Sequence, residues 1–344
     1  MNRAAALRAL AVLTFALCFG VVVLGAYVRL SAAGLGCPDW PGCYGHLTPT
    51  AAVAEAAQSG GTLDGAVVEA GKAWKEMVHR YAAGTLGALI AIIAALAILW
   101  RRDRLVSVPY ALSLLGLVVL QGVFGALTVT WKLKPIIVTG HLLFGLTTLS
   151  MLWWLVLTLA LQRSNPWRSA PAFVGTQLAW LRRLATVALL GVIVQVALGG
   201  WTSTNYAATA CPDFPRCQGA WWPADMDGAQ AFVLWRGLGI NYEGGVLDLA
   251  ARVAIHYTHR LGAVALTLLL LYTALRLFAA RTDRFARRAA IGVLVALALQ
   301  LLVGTAMVLR GFPLWIATAH NAGAALVLLA TLALNRSLRP ARPA

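Results

Sequence analysis

Eight apolar stretches, each near the ~20 residues a helix needs to cross a bilayer core, run through this chain. They lie at roughly 8–29, 74–99, 106–130, 136–161, 183–204, 250–278, 289–309 and 313–335. Little of the 344 residues remains for a soluble domain. Composition agrees: 12% of residues are charged and 60% hydrophobic, against about 25% charged in an average soluble domain. The expected fold is an all-α integral membrane protein with eight transmembrane helices.

The net charge of +16 raises nucleic acid as a partner, and its placement excludes it. Arg3, Arg8, Arg101, Arg102, Arg104, Arg182, Arg183, Arg287, Arg288 and Arg336 fall in short segments on one side of the eight spans. The acids Asp39, Glu55, Asp64, Glu69, Asp213, Asp225, Asp227, Glu243 and Asp248 fall on the other. Arginine-rich short loops mark the cytoplasmic side, which puts both termini inside and the long loops, about 30–72 and 205–248, outside. The stretch AAVAEAAQSG (51–60) reads as a short surface helix. Arg3 and Arg8 ahead of the first run resemble a signal peptide. The equivalent run at 183–204 sits mid-chain, so the first is expected to remain as a span.

That equivalence comes from an internal repeat. Cys37 and Cys43 match Cys211 and Cys217 (211 − 37 = 174), His79-Arg80 matches His259-Arg260 (259 − 79 = 180), and Gln121 and His141 match Gln300 and His320 (both 179). Each unit has four spans, an even number, so both copies share one orientation, as in parallel-repeat membrane folds. The expected architecture is two pseudo-symmetric four-helix bundles, residues 1–165 and 166–344.

Four of the six histidines, His79, His141, His259 and His320, occupy matching places a few residues inside the outer ends of even-numbered spans. At 1.5 Å per residue they lie about 10 Å deep. Ionisable residues inside a span are expensive, and functional by default. Two histidines on facing helices of a bundle can clamp a haem iron from both sides. One haem per half pairs His79 with His141 and His259 with His320. Zinc normally takes three or four protein ligands, and each half offers two. Arg80 and Arg260 follow their histidines and suit haem propionates; the alternative is snorkelling to the interface. Glycines near the histidines (Gly84, Gly87, Gly140, Gly145, Gly262, Gly323) suit either a flat macrocycle or close helix packing.

The halves differ at one telling place. Three residues before each His-Arg pair, on the same helix face, stand Glu76 in the first half and His256 in the second. Glu76 is the one acid in the membrane near a proposed ligand pair, so it is the candidate acid/base, and the first half the candidate working site. His46 reads as a surface residue and Cys18 as packing.

The stretches VRLSAAGLGCPDWPGC, EMVHR (76–80), TGH (139–141), HYTHR (256–260) and TAH (318–320) resemble the haem A synthase family across nearly the whole chain. The resemblance implies a bacterial inner-membrane enzyme that oxidises the C8 methyl of haem O to a formyl group, giving haem A for terminal oxidases. It implies a haem b cofactor on His259 and His320, substrate haem iron on His79 and His141, and Glu76 as catalytic acid. Implied partners are haem O, the protohaem farnesyltransferase that makes it, an electron acceptor and membrane lipid, with a homo-oligomer left open. The competing functional readings are a di-haem b, quinol-linked electron-transfer cytochrome and a parallel-repeat transporter.

The motifs CPDWPGC (37–43) and CPDFPRC (211–217) lie on the outer side, where disulfides persist. Each pair closes a small loop, so Cys37–Cys43 and Cys211–Cys217 are the expected pairings. Five residues separate each pair, against the two to four usual for zinc. Each loop is then either a staple over its haem or, above Glu76, a reversible dithiol.

Overall fold

The structure, a computed structural model, describes residues 2–63, 66–164, 176–280 and 284–339. Among them are ten helices: α1 (Arg3–Leu30), α2 (Pro49–Gln58), α3 (Ala70–Leu99), α4 (Val108–Thr130), α5 (Pro135–Ser164), α6 (Thr176–Thr204), α7 (Gly228–Ala231), α8 (Leu249–Ala279), α9 (Arg284–Leu309) and α10 (Leu314–Ser337). All but α2 and α7 are long and apolar enough to cross a membrane. These eight coincide with the eight apolar stretches, and α2 is the expected surface helix. Two strands of two residues each, β1 (Thr62–Leu63) and β2 (Ala66–Val67), pair antiparallel after α2. The expected division between the halves, at 165/166, lies outside the described residues.

Sequence explains where the helices begin. The Ser107 side chain accepts from the N–H of Tyr110 with a proline in the first turn, and Asp248 accepts from the N–H of Ala251. Both satisfy donors that have no partner within the helix. The endings are more uniform. At the ends of α1, α4, α6 and α9, an N–H reaches back five residues: Ala33 to Val28, Leu133 to Thr128, Ala207 to Thr202 and Phe312 to Met307, all 2.8–3.0 Å. A left-handed residue makes each closure possible, namely Ala32, Lys132, Tyr206 and Gly311. This is the Schellman arrangement, which satisfies last-turn carbonyls. It lets α4 run into α5, and α9 into α10, through only residues 131–134 and 310–313.

The first four spans close a ring, α1 on α3 and α5 with α4 on α3 and α5. The last four do the same, α6 on α8 and α10 with α9 on α8 and α10. The rings meet where α1 packs on α10 and α5 packs on both α6 and α10. Ala185 and Ala188 of α6 are fully buried, and the small side chains let α10 approach until Asn335 Nδ2 donates to the Ala185 carbonyl at 2.8 Å. Trp153 Nε1 of α5 donates to the Leu329 carbonyl of α10 at 3.1 Å. At the loop end, Arg29 donates to the Ser203 carbonyl at 3.1 Å, and Ser203 is the repeat position of Arg29 itself (203 − 29 = 174). The outward faces carry bare apolar side chains at mid-helix, such as Leu13, Val119, Val194, Leu268 and Leu302. A contiguous apolar surface of this kind marks an interaction with another apolar phase, here lipid.

Candidate functional site

A cavity of about 1020 Å³ opens among α1, α3, α4 and α5, touching α6 at Gly200 and Ser203 and α10 at Asn321. This is at the upper end of the ~300–1,000 Å³ usual for small-molecule sites. Glu76, His79, Arg80, Gln121 and His141 line it, and Trp40, Pro41 and Leu47 of the first cysteine loop lie over it. Most remaining wall positions are apolar or glycine. The structure thus brings together the first-half residues that the sequence singled out.

Each histidine ring rests against a glycine of the preceding span. A Cβ added at Gly25 would stand 2.9 Å from the His79 ring, at Gly199 3.1 Å from His259, at Gly304 2.8 Å from His320, and at Gly125 3.6 Å from His141. At Gly25 and Gly304 a Cβ would come closer than side chains do in practice, and at Gly199 it would fit only if the His259 ring gave way slightly. The Nδ1 atoms of His79, His141 and His320, and that of His256 beside them, are buried without a hydrogen-bond partner. Buried polar atoms are normally paired, so three orphaned imidazole nitrogens at matching places fit an axial ligand role. Among the described residues no three His, Cys, Asp or Glu side chains come together as a metal-binding group, so a three-ligand zinc centre finds no support. His259 Nδ1 has Gln195 Nε2 at 3.1 Å.

Glu76 is buried. One carboxylate oxygen accepts from the N–H of Cys37 at 3.0 Å, and the other pairs with Arg80 one turn along α3. Arg80 Nη1 donates to the loop carbonyls of Asp39, at 2.9 Å, and Gly42. Its counterpart Arg260 donates to the carbonyls of Arg216 (2.7 Å) and Cys211 (2.9 Å), and through Nε to His256 Nε2 (3.2 Å). From sequence the arginines suit either propionates or snorkelling to the interface. In the structure each ties a cysteine loop to its helix, a role invisible to residue spacing.

The loops themselves are near copies. The sulfurs of Cys37–Cys43 and Cys211–Cys217 stand at disulfide distance with Cα–Cα separations of 4.7 Å. Asp39 accepts from the N–H groups of Tyr44 and Gly45, and Asp213 from those of Gln218 and Gly219. The aspartate of each motif therefore holds the turn after the second cysteine. Burial works against ionisation of Asp213, but the N–H groups of Gly219 and Gln218, with the Arg260 charge, outweigh it and hold its carboxyl below the usual range. His46 is at the surface, 2.6 Å from Glu55, and Cys18 is buried in the core.

Among the glycines singled out by sequence, Gly84 and Gly87 line the cavity, whereas Gly140 faces Phe124, Gly262 faces Gln195 and Gly323 faces Gln300. The glycines under the rings, and Gln195, were not anticipated. A usable signal existed in the recurrence of Gln-x-x-x-Gly at 121–125, 195–199 and 300–304.

Fold and site define a polytopic helical membrane protein with two sets of half-buried histidines at matching places, one set facing a large apolar cavity beside a carboxylate. The chain belongs to the COX15-CtaA family, cytochrome oxidase assembly protein, whose pattern matches residues 8–332. It is 42% identical over 318 residues to the Heme A synthase of Shewanella oneidensis, covering 92% of this chain and 91% of that one. It is 30% identical over 336 residues (91% and 86%) to the Heme A synthase of a Methylobacterium species, and 28% identical over 355 residues (94% of each) to that of Caulobacter vibrioides. With eight apolar helices and bacterial relatives, the chain is a multi-pass bacterial membrane protein with haem-related chemistry.

Proposed function

We propose that this protein is a haem A synthase, which oxidises the C8 methyl group of haem O to a formyl group to supply haem A to terminal oxidases. Family membership over residues 8–332 and the 42% identical relative support the activity. The observation that carries the assignment to the first half is Glu76. It is a buried carboxylate on the wall of the large cavity beside His79, where the repeat places His256 in the other half.

His79 and His141 hold the substrate iron. Their rings are backed by Gly25 and Gly125, so each ring is set by the neighbouring helix. Methyl to formyl removes four electrons in two oxidations through a hydroxymethyl stage, with one oxygen gained and protons leaving at each stage. Glu76 is the group positioned to take and pass on those protons. Its carboxylate is oriented by the Cys37 N–H and by Arg80, and Arg80 has further N–H groups for a propionate. The apolar wall admits an isoprenoid-tailed macrocycle sideways from lipid and keeps bulk water from the reacting carbon.

His259 and His320 suit a resident haem b, which when bound supplies an electron-transfer group. The halves 1–165 and 166–344 form two four-helix bundles related by a pseudo-twofold axis along the membrane normal. Both ring closures and the Arg29–Ser203 contact support that relation. Arginine placement supports cytoplasmic termini and outer cysteine loops in the inner membrane. Substrate delivery by the protohaem farnesyltransferase and transfer to an electron acceptor complete the reading.

A di-haem electron-transfer cytochrome would use the same four histidines but gives no reason for a buried Glu76 or for so large a cavity. Haem extraction from membranes that contain haem O and this chain separates the two. Haem A appears if the protein is the synthase; haem O and haem b alone would make it a cytochrome.

A further inference from the structure

Glutamine side chains bond both second-half histidines, a glutamine stands at the same place before His141, and His79 alone of the four has none there. Gln195 Nε2 donates to the His259 carbonyl at 2.9 Å and lies 3.1 Å from the ring Nδ1. Gln300 Nε2 donates to the His320 carbonyl at 3.1 Å and lies 3.3 Å from the ring Nε2. Gln121 stands at the corresponding place before His141 and lines the cavity with it, but its side chain makes no hydrogen bond to that ring, and Gln121 Oε1 and His141 Nδ1 are both without a partner. Each glutamine stands four residues before the glycine on which its histidine rests, Gly199, Gly304 and Gly125.

Each glutamine also relies on a second glycine, one turn beyond the histidine. A Cβ at Gly262 would collide with Gln195 Oε1, and one at Gly323 with Gln300 Oε1. At Gly145 it would come within 2.8 Å of Gln121 Nε2. His79 lacks both parts of this device. Val21 stands four residues before Gly25, and the positions three and four past His79 are Ala82 and Ala83. His79 Nδ1 is buried with no partner, as is that of His141, so what sets His79 apart is the missing glutamine and the missing second glycine.

We propose that Val21 and Ala82 make His79 the exchangeable ligand of this protein, the histidine that lets go when haem enters or leaves the first-half cavity. The inference rests on that half being the substrate site. A polar partner on the second ring nitrogen orients a ligating histidine and raises its basicity, and losing such a partner typically weakens metal binding by about 10–100-fold. A carboxamide carries both a donor and an acceptor, so it can hold the ring whichever nitrogen bears the proton. A substrate haem must leave after each turnover, whereas a resident one must stay. The second half has a bonded glutamine for each histidine; in the first, Gln121 stands within reach of the same role for His141, and no glutamine does so for His79. Gln195, Gln300 and Gln121 are thus positioning residues, and Val21 is the gap in their pattern.

The test uses the purified full chain carrying haem O and haem b. Haem transfer to excess apomyoglobin is followed by visible spectra, with chromatography of the extracted haems to separate O from b. In the unaltered protein haem O should leave faster than haem b. The pair Val21→Gln with Ala82→Gly should slow haem O release by about 10-fold or more without changing haem b. Val21→Leu with Ala82→Gly, which adds bulk but no carboxamide, should not slow it. Gln195→Val with Gly262→Ala should speed haem b loss by about 10–100-fold.

The inference is overturned if Val21→Gln with Ala82→Gly leaves haem O release unchanged while a bis-histidine spectrum persists, or if Gln195→Val with Gly262→Ala retains haem b as the unaltered protein does. The second comparison decides the matter if the first variant does not fold. Haem A formation by the unaltered protein is scored separately. Its absence removes the functional reading beneath, whereas haem A with unchanged release rates removes only this inference.

Discussion

The backbone N–H of Cys37 donates to the carboxylate of Glu76 at 3.0 Å. The first cysteine of the outer loop and the buried acid of the cavity are therefore one unit. In the second half His256 stands at the Glu76 position and accepts from Arg260 Nε instead. This contact makes the two cysteine pairs unequal in consequence although they are nearly equal in shape.

Loosening the first loop should therefore disturb chemistry, and loosening the second should disturb retention. Cys37→Ser is expected to lower haem A yield several-fold at unchanged protein level. Cys211→Ser is expected to leave turnover per bound haem b intact while reducing haem b content. Haem extraction and pyridine haemochrome assays on the two purified variants measure both quantities. Equal losses of haem A per haem b would show that the Cys37–Glu76 contact has no special role.

Gly25→Ala and Gly199→Ala form a matched pair. A methyl at position 25 would press on the His79 ring, and one at 199 on the His259 ring; overpacking of this kind costs about 1–3 kcal/mol. Gly25→Ala should weaken haem O binding and spare haem b. Gly199→Ala should do the reverse. Spectral titration of each variant with each haem checks the assignment of the two halves directly.

Arg80 and Arg260 should behave as loop ties. Each guanidinium holds two or more loop carbonyls, so replacement by alanine frees the loop from its helix. Arg260→Ala is expected to raise amide exchange across 211–219 without altering that of 37–45, and Arg80→Ala the converse. Arg80→Ala also leaves buried Glu76 without its counter-charge, an arrangement that costs about 3–5 kcal/mol when one partner of a buried pair is removed. A lowered thermal midpoint is therefore expected for Arg80→Ala beyond that of Arg260→Ala.

The second loop should loosen in acid. The Asp213 carboxyl titrates below its ordinary value because it accepts from Gly219 and Gln218 and faces Arg260. A group with a depressed folded pKa contributes stability above its unfolded value and loses it as pH falls through the folded one. Amide exchange at Gln218 and Gly219 should accelerate as pH is lowered through that range, once corrected for intrinsic rates. Asp213→Asn should be fast at neutral pH and show little further pH dependence.

How much of this could be read from sequence depends on the range of the interaction. The eight spans were legible because twenty apolar residues announce themselves locally, and α2 because AAVAEAAQSG favours a helix by composition alone. The histidines were legible through the repeat, which turns four scattered residues into two equivalent pairs. The arginine ties were not, because Arg80 reaches back about 40 residues to a loop whose path is set by Asp39 and two prolines. The glycines that matter lie on the neighbouring helix. Sequence proximity pointed to Gly140, Gly262 and Gly323, which make room for Phe124, Gln195 and Gln300, while Gly25, Gly125, Gly199 and Gly304 bear the rings. Gln195 escaped notice because its repeat counterpart is Val21, so the alignment offered no matching pair.

The most direct measurement is the haem content of membranes supplied with haem O and carrying Glu76→Gln, which preserves side-chain shape and a hydrogen-bond acceptor but cannot take up a proton as a carboxylate does. Loss of an acid/base of this kind typically costs about 10²–10⁴-fold. The expected result is haem O accumulating on the protein, haem b unchanged and haem A reduced to a trace. Haem A formed at the unaltered rate, with Glu76→Gln protein confirmed in the membrane, would contradict the assignment of the reaction to the first half.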